Sequence, residues 1–220
     1  MTNKTKKTTD HIYALRNEYE SKRLEKATAK RNPFEQFEIW LAEAIAAEVD
    51  EPNAMVLSTA TKDGRPSARV VLLRGFDRRG FVFYTNYDSQ KAEEIAENPR
   101  ASLVYFWSKL QRQVRIEGKI SRASRRLSQS YFATRPRMSQ IGAWASAQSR
   151  TIRNRRELEK QIAEMETQFA GKEVPCPDFW GGFVVKPDLF EFWQGGKSRL
   201  HDRLRYTKTR SAWKIERLCP

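Results

Sequence analysis

Ala54-Met55-Val56-Leu57-Ser58-Thr59-Ala60-Thr61-Lys62-Asp63-Gly64-Arg65-Pro66-Ser67-Ala68-Arg69-Val70-Val71-Leu72-Leu73-Arg74 holds two runs of strand-forming residues around an Asp-Gly pair. Asp-Gly between such runs is a strong hairpin signal, so 54–59 and 68–74 are predicted to pair antiparallel across the turn at 62–65. The same rhythm continues outward. Phe81 to Thr85 follows a turn at Arg79-Gly80, and Leu103–Trp107 and Gln113–Glu117 read as two more strands. In the last of these Val114 and Ile116 share one face, and Gln113, Arg115 and Glu117 the other. Phe179–Val185 and segments near 188–193, 203–207 and 212–218 extend the pattern. Seven or more short strands joined by tight turns predict an antiparallel barrel, mainly β, with peripheral helices.

The helices have their own punctuation. Asn32 as cap, Pro33 in the first turn and Glu35 as partner of a capping box start one helix. Its Phe34, Phe37, Trp40, Leu41, Ala44 and Ile45 keep the helical period and cover a core. Short helices are expected from Ser89 to Asn98, before Pro99, and over 124–134, before Pro136. A longer one spans about Ile152 to Phe169, with Leu158, Ile162, Met165 and Phe169 on one stripe and a stop at Gly171. Trp40, Trp107 and this stripe are read as core or dimer interface. Ahead of all this, residues 1–9 are rich in Lys and Thr, a short helix from Asp10 carries Ile12, Leu15 and Tyr19, and 21–31 is basic without a clear apolar face. The chain is read as a mobile arm at 1–31 and one domain at 32–220.

Composition limits what the domain can be. Hydrophobic residues make up 39% of the 220, with 12 Phe and 6 Trp, enough for a sizeable core. The formal charge of +14 attracts nucleic acid, anionic membranes or small phosphorylated ligands without choosing among them. No apolar run is long enough to span a membrane, and the polar N-terminus has no signal-peptide pattern. Cys176 and Cys219 have no metal-ligand spacing and predict no disulfide framework, so a reduced cytoplasmic setting is expected and no metal site.

Phosphate chemistry must come from side chains, because neither a Walker A loop nor GxGxxG occurs. Arg69 and Arg74 bracket a strand, Ser89 and Lys91 open a short helix, and Tyr131, Arg135 and Ser139 surround a helix end. Near the C-terminus, Trp193-Gln194-Gly195-Gly196-Lys197-Ser198-Arg199-Leu200-His201-Asp202-Arg203 places two guanidiniums around one imidazole, after a Gly-Gly pair expected to turn the strand by unusual backbone angles.

Taken together, Arg69-Val70-Val71-Leu72-Leu73, Phe83-Tyr84-Thr85-Asn86, Ser139-Gln140-Ile141-Gly142-Ala143-Trp144, Phe179-Trp180-Gly181-Gly182-Phe183, Phe192-Trp193-Gln194-Gly195-Gly196, Arg199-Leu200-His201-Asp202-Arg203 and Trp213-Lys214-Ile215-Glu216-Arg217-Leu218 resemble the pyridoxine (pyridoxamine) 5'-phosphate oxidase family, in collinear order from about Leu15 to Pro220. The resemblance implies a split β-barrel of FMN-binding type and a homodimer with FMN at the subunit interface. It implies oxidation of pyridoxine 5'-phosphate and pyridoxamine 5'-phosphate to pyridoxal 5'-phosphate, with hydride passing to flavin N5 and dioxygen reduced to hydrogen peroxide. It implies FMN contacts at Arg69, Val70, Val71, Leu72, Leu73, Arg74, Tyr84, Thr85, Gln90, Lys91, Gln113, Gln148, Ser149, Trp193 and Arg203, with Arg69 and Lys91 at the phosphate and the amides of Gln113 and Gln148 at polar ring edges. Tyr131, Arg135 and Ser139, with Arg74, match the clamp for the substrate phosphate. Arg199 and His201, the catalytic pair by resemblance, close over the pyridine ring with Arg16 and Tyr19 of the arm, which would act as a lid.

Two positions depart from the family pattern. Arg74 stands where the family has Lys, and Ser89-Gln90-Lys91 where it reads Ser-Arg-Lys, which removes a cation from the expected FMN phosphate. The second departure is shared with the phenazine-biosynthesis branch of the same fold, whose unphosphorylated aromatic substrate would not need Tyr131, Arg135 and Ser139. A flavin-binding relative with reduced turnover, and a flavin-free nucleic-acid binder driven by the +14 charge, are the other readings. The nucleic-acid reading lacks any recognised module, and the expected partners are small molecules and a second copy of the chain, with no nucleic acid and no membrane.

Overall fold

The computed structural model of the chain describes Tyr19 and residues 23–220; Arg16 and the helix expected from Asp10 lie outside them. Strands β1 (Ala54–Ala60) and β2 (Pro66–Leu72) form the expected hairpin, with Val56 opposite Val70 and Leu57 opposite Arg69. β3 (Gly75–Asp77), β4 (Gly80–Asn86), β5 (Arg100–Trp107), β6 (Arg112–Arg122), β7 (Trp180–Gln194), β8 (Asp202–Lys208) and β9 (Trp213–Leu218) complete one antiparallel sheet. Its order is β2-β1-β5-β6-β7-β4-β3, with β8 and β9 continuing from β7. A sheet in which β7 pairs with β4, β6 and β8 must curl, and this one closes into a split barrel around its aromatic side chains.

Helix α1 (Pro33–Ala46) plugs that barrel. Phe37 and Trp40 are buried and meet Phe76, Phe81, Tyr105, Trp107 and Phe192 at ring separations of 5.0–6.2 Å. Each such fully buried ring contributes roughly 1.5–3 kcal/mol. Trp40 and Trp107 are therefore core. Asn32 caps the helix by accepting from Phe34 N at 3.0 Å, but Glu35 accepts from the Asn32 side-chain amide at 3.4 Å, so the reciprocal half of the capping box does not form. Just ahead, Leu24 is buried and its N–H donates to Asp202 Oδ2 at 3.0 Å, which moors residues 23–31 to the domain.

α2 (Gln90–Glu97), α3 (Arg125–Ala133), α4 (Arg137–Ala145) and α5 (Arg155–Gln168) lie on the rim. α4 was not anticipated, because Pro136 reads as a terminator. Instead Pro136 is the residue before the new helix, and its carbonyl accepts from Ser139 N and Gln140 N. α5 is capped by Asn154, whose side chain accepts from Glu157 N at 3.0 Å; Ile162 and Met165 of its stripe are half-buried against a second cluster, in which Phe169, just past the helix, is buried with Phe132, Ile141, Val174 and Trp180.

β7 is one strand of 15 residues where Pro187 predicts two. Pro187 lacks the N–H a ladder needs, and it lies opposite Gly118, where the β6–β7 register shifts and Asp188 of β7 is left as the extra residue of a bulge. A Cβ on Gly118 would collide with the Lys186 carbonyl. Gly118→Ala is therefore expected to destabilise the fold by roughly 3 kcal/mol, read as a lower urea midpoint at unchanged slope.

Candidate active site

Two groups of polar side chains stand at the two ends of β7. The first is built on β2, β4 and the start of α2. Lys91, buried in the first turn of α2, holds its ammonium near three neutral oxygens: Gln148 Oε1 at 3.0 Å, Thr85 Oγ1 at 3.2 Å and Ser89 Oγ at 3.3 Å. Thr85 in turn donates to Gln148 Oε1 at 2.7 Å. Burial and the nearby Arg69 charge push the Lys91 ammonium down to about 8, partly opposed by Glu94. Arg69 reaches the same cradle from β2, with its guanidinium on Thr59 Oγ1, on Ser67 Oγ at 2.5 Å and on Glu94 Oε2 at 3.3 Å. Burial would raise the Glu94 carboxyl, yet bonds from Ser67, Thr59 and Gln90 and the Arg69 charge hold it at about 2. Gln90 is committed to Glu94, donating from Nε2 to Oε1 at 2.8 Å.

Beside this cradle an aromatic box carries two more guanidiniums. Tyr84 stacks on Tyr131 at 4.0 Å and on Trp180 at 5.4 Å. Arg135 lies over the Trp180 ring at 4.7 Å, and Arg74 lies 5.9 Å from the Tyr131 centroid. Arg135 Nη1 is buried with no hydrogen-bond partner among the described residues, and burial pulls its pKa down, with the Arg74 charge acting the same way. A buried donor on a cation, left without an acceptor, costs free energy that an anion would recover. Ser139 opens α4 on the Pro136 carbonyl, at the same helix junction.

The second group stands where β7 passes to β8. Trp193 lies opposite Gln113 on one side and Arg203 on the other. The His201 ring packs 4.6 Å from Trp193 and 5.5 Å from Tyr19, and Arg199 lies 5.7 Å from the Tyr19 ring. Gly196 N donates to His201 Nδ1 at 3.2 Å, which leaves Nε2 as the proton-bearing nitrogen of a neutral ring. Burial and then the charges of Arg199 and Arg203 lower its pKa further. Arg203 is anchored by Glu191 Oε1 at 2.8 Å and the Cys219 carbonyl at 2.8 Å. The Gly-Gly pair acts differently from expectation. The left-handed angles fall on Ser198 (φ 54) and Arg199 (φ 63), while Gly196 is extended at φ −136 and lacks a Cβ that would strike the Leu200 carbonyl.

Several expected residues separate. Gln148, assigned with Gln113 to ring edges, lies in the cradle against Lys91, and Gln113 stays with Trp193. Ser149 follows Gln148 with φ 70. Val70 is 64% exposed and alternates with Arg69, so its side chain leaves by the opposite face of β2 from the cradle. Leu72 ends β2, Leu73 is buried and donates to the Asn53 carbonyl at 2.8 Å, and Val71 packs against the core. Sequence reasoning missed Glu94, Thr59, Ser67 and Glu191. The spacings Gln90/Glu94 on a helix and Ser67/Arg69 on a strand were the available signals.

Tyr84 pairs with Gly182 near one end of β7 and Arg203 with Trp193 near the other, a strand contour of roughly 36 Å. On the outer face of the sheet Val56, Val70 and Phe106 are exposed at 36%, 64% and 60%, an apolar strip across β2, β1 and β5.

A curled antiparallel sheet with rim helices and cationic groups at both ends of its longest strand defines a split-barrel protein. The chain belongs to the pyridoxamine 5'-phosphate oxidase family: that family's profile matches residues 41–169, and the profile described as the pyridoxine 5'-phosphate oxidase C-terminal dimerisation region matches 180–220. Pyridoxine/pyridoxamine 5'-phosphate oxidase of Rubrobacter xylanophilus is 55% identical over 209 residues, covering 95% of this chain and 96% of its own. The Bordetella petrii protein of the same name is 52% identical over 207 residues, covering 94% and 98%. Among solved structures, PhzG from Burkholderia lata, in complex with tetrahydrophenazine-1-carboxylic acid, superposes with a TM-score of 0.87 at 31% identity over 93% of this chain and all of its own. A pyridoxamine 5'-phosphate oxidase-related, FMN-binding protein from Nostoc punctiforme shares the fold, at TM-score 0.68 and 16% identity. No helix among the described residues is long and apolar enough to cross a membrane.

Proposed function

We propose that the chain oxidises pyridoxine 5'-phosphate and pyridoxamine 5'-phosphate to pyridoxal 5'-phosphate with FMN as cofactor and dioxygen as final acceptor. The observation that carries this reading is the Arg135 guanidinium inside an aromatic box, its buried Nη1 without a partner among the described residues, beside a second, separate cationic cradle. Cofactor and substrate each bring a phosphate dianion, and an unphosphorylated substrate would leave Arg135 unmatched. The donor set fits FMN: the Lys91 ammonium touches neutral oxygens alone among the described residues, and Arg69 adds a planar fork, so a phosphate meets two cations offset by one carboxylate. Bound flavin supplies the two-electron acceptor chemistry.

The protein's own part is binding and orientation. Arg69, Lys91, Thr85 and Gln148 hold the cofactor phosphate. Arg135, Tyr131, Ser139 and Arg74 hold the substrate phosphate. Trp193, Gln113 and Arg203 meet the cofactor, and Arg199 and neutral His201 meet the substrate ring, His201 as a fixed Nε2–H donor. Tyr19, packed on His201 and Trp193, covers this end. Because the two groups lie at opposite ends of β7, a second copy completes each site. We therefore read the protein as a homodimer with FMN at the interface, supported by the match of residues 180–220 to a dimerisation region, in the cytoplasm.

The test is aldehyde formation from both phosphorylated substrates in air, with and without added FMN. FMN-dependent product is expected; turnover of tetrahydrophenazine-1-carboxylic acid, but of neither phosphate ester, would favour the PhzG-like reading instead. Gln90 gives a further check. Gln90→Arg places a third cation at the cradle, where a charge-assisted bond is worth about 1.5–3 kcal/mol, so FMN is expected to bind roughly tenfold more tightly in a flavin-fluorescence titration. Unchanged affinity would contradict this.

A further inference from the structure

Glu94 lies one turn beyond Gln90 on α2 and is 5% exposed, with its carboxylate turned to the β1–β2 hairpin. Oε2 accepts from Thr59 Oγ1, from Ser67 Oγ at 2.5 Å and from Arg69 Nη2 at 3.3 Å, and Oε1 accepts from Gln90 at 2.8 Å. The two hydroxyls also touch Arg69, since Nη1 donates to Thr59 Oγ1 and Nη2 to Ser67 Oγ. Each hydroxyl has a single proton, and both a carboxylate and a guanidinium have fixed roles, acceptor and donor. The protons of Thr59 and Ser67 must therefore point at Glu94 and their lone pairs at Arg69. The direction of the relay is set by the ionised side chains at its two ends, Glu94 and Arg69, and Arg69 Nη1 has one further acceptor, the Leu57 carbonyl at 3.4 Å.

We propose that Glu94 is a positioning residue for the cofactor phosphate: it fixes the Thr59 and Ser67 hydroxyls as acceptors and thereby holds the Arg69 guanidinium in the cradle beside Lys91. This rests on the reading of that cradle as the FMN phosphate site. It makes a prediction opposite to simple charge counting. By charge alone, Glu94 repels a phosphate dianion, and its neutralisation should tighten binding. By the relay, Glu94→Gln reverses the bonds. The Gln90 amide donates at the Oε1 position and so selects the new carbonyl there, which turns the new NH2 group toward Thr59, Ser67 and Arg69. Arg69 then faces a donor and leaves the cradle.

The experiment titrates the full-length chain, freed of flavin, with FMN and with riboflavin, which lacks the phosphate, across pH 6.5 to 9.5. Wild type is expected to prefer FMN; equal affinity for the two flavins would remove the cradle reading itself, and this proposal with it. Glu94→Gln is expected to lose at least tenfold in FMN affinity with riboflavin unchanged. Its FMN affinity should also fall away at lower pH than in wild type, because the Lys91 ammonium loses a supporting charge. Ser67→Ala keeps the carboxylate and removes one arm of the relay, so a several-fold loss confined to FMN is expected there. FMN binding by Glu94→Gln that is unchanged or tighter overturns the proposal, and so does an equal loss for both flavins, which would mark a merely structural role. Should Glu94→Gln fail to fold, Ser67→Ala decides: FMN affinity equal to wild type overturns it.

Discussion

Arg135→Met is expected to raise the KM for pyridoxine 5'-phosphate about a hundredfold without lowering the Tm of the unliganded protein. Among the described residues the guanidinium has one buried nitrogen without an acceptor, and its support there is the faces of Trp180 and Phe132, at 4.7 and 5.5 Å. Methionine keeps the contact with those rings and removes a charge that burial disfavours. Stability thus has nothing to lose beyond a cation–π contact of about 1 kcal/mol. Binding has much to lose. Two charge-assisted bonds to a phosphate, at about 1.5 kcal/mol each at the low end, give the hundredfold. Steady-state kinetics alongside a melting curve separates the two quantities. An unaltered KM would remove Arg135 from the substrate clamp, and a Tm that falls with activity would make it a structural residue.

Lys91→Met is expected to weaken FMN binding about a hundredfold, leave riboflavin binding unchanged, and flatten the pH dependence of stability. With the ammonium at about 8 in the folded chain and at its ordinary 10.5 when unfolded, the unfolded chain carries the extra proton between those values. Stability of the flavin-free protein from this group therefore rises as pH climbs from about 8 to 10.5, and below 8 the buried charge is a constant cost. Methionine removes both the cost and the rise. A phosphate dianion favours the charged form, so binding takes up a proton in the same window, and wild-type FMN affinity is expected to fall as pH passes upward through about 8. Denaturant midpoints and flavin titrations at pH 7 and pH 9.5 check both effects; parallel pH curves for wild type and variant would mean Lys91 is not the titrating group.

Local chemistry accounts for what was legible in the sequence. Asp63-Gly64 and Asn32-Pro33 act within a few residues of themselves, and the hairpin and α1 formed where they indicated. Pro136 and Pro187 misled because their effect depends on distant backbone. Pro136 can introduce a helix as well as end one, and Pro187 sits at the register shift opposite Gly118, between the part of β7 paired with β4 and the part paired with β8. The cationic residues of the cradle were legible one at a time, mainly through the family resemblance. Their support was not: Arg69 meets Glu94 across 25 residues of chain and Thr59 meets Glu94 across 35, and no periodicity records such meetings. Nor did sequence foretell which residues would take left-handed angles after Trp193, since the glycines there serve close approach and Ser198 and Arg199 make the turn.

The bulge at Gly118 has a consequence for the fidelity of assembly. Along an unbroken ladder, β6 and β7 could slide by one residue, and every side chain of β7 would exchange faces. Trp193 would turn into the barrel and Phe192 out to solvent, while at the far end the strand would carry Trp180 away from Tyr84. In the observed register Gly118 meets the Lys186 carbonyl at a distance that no Cβ would tolerate, and a slide by one residue would bring Glu117 or Lys119 to that place. A single missing methyl group thus acts as the notch that seats the strand, and a chain misaligned there would be wrong at both of its ends at once.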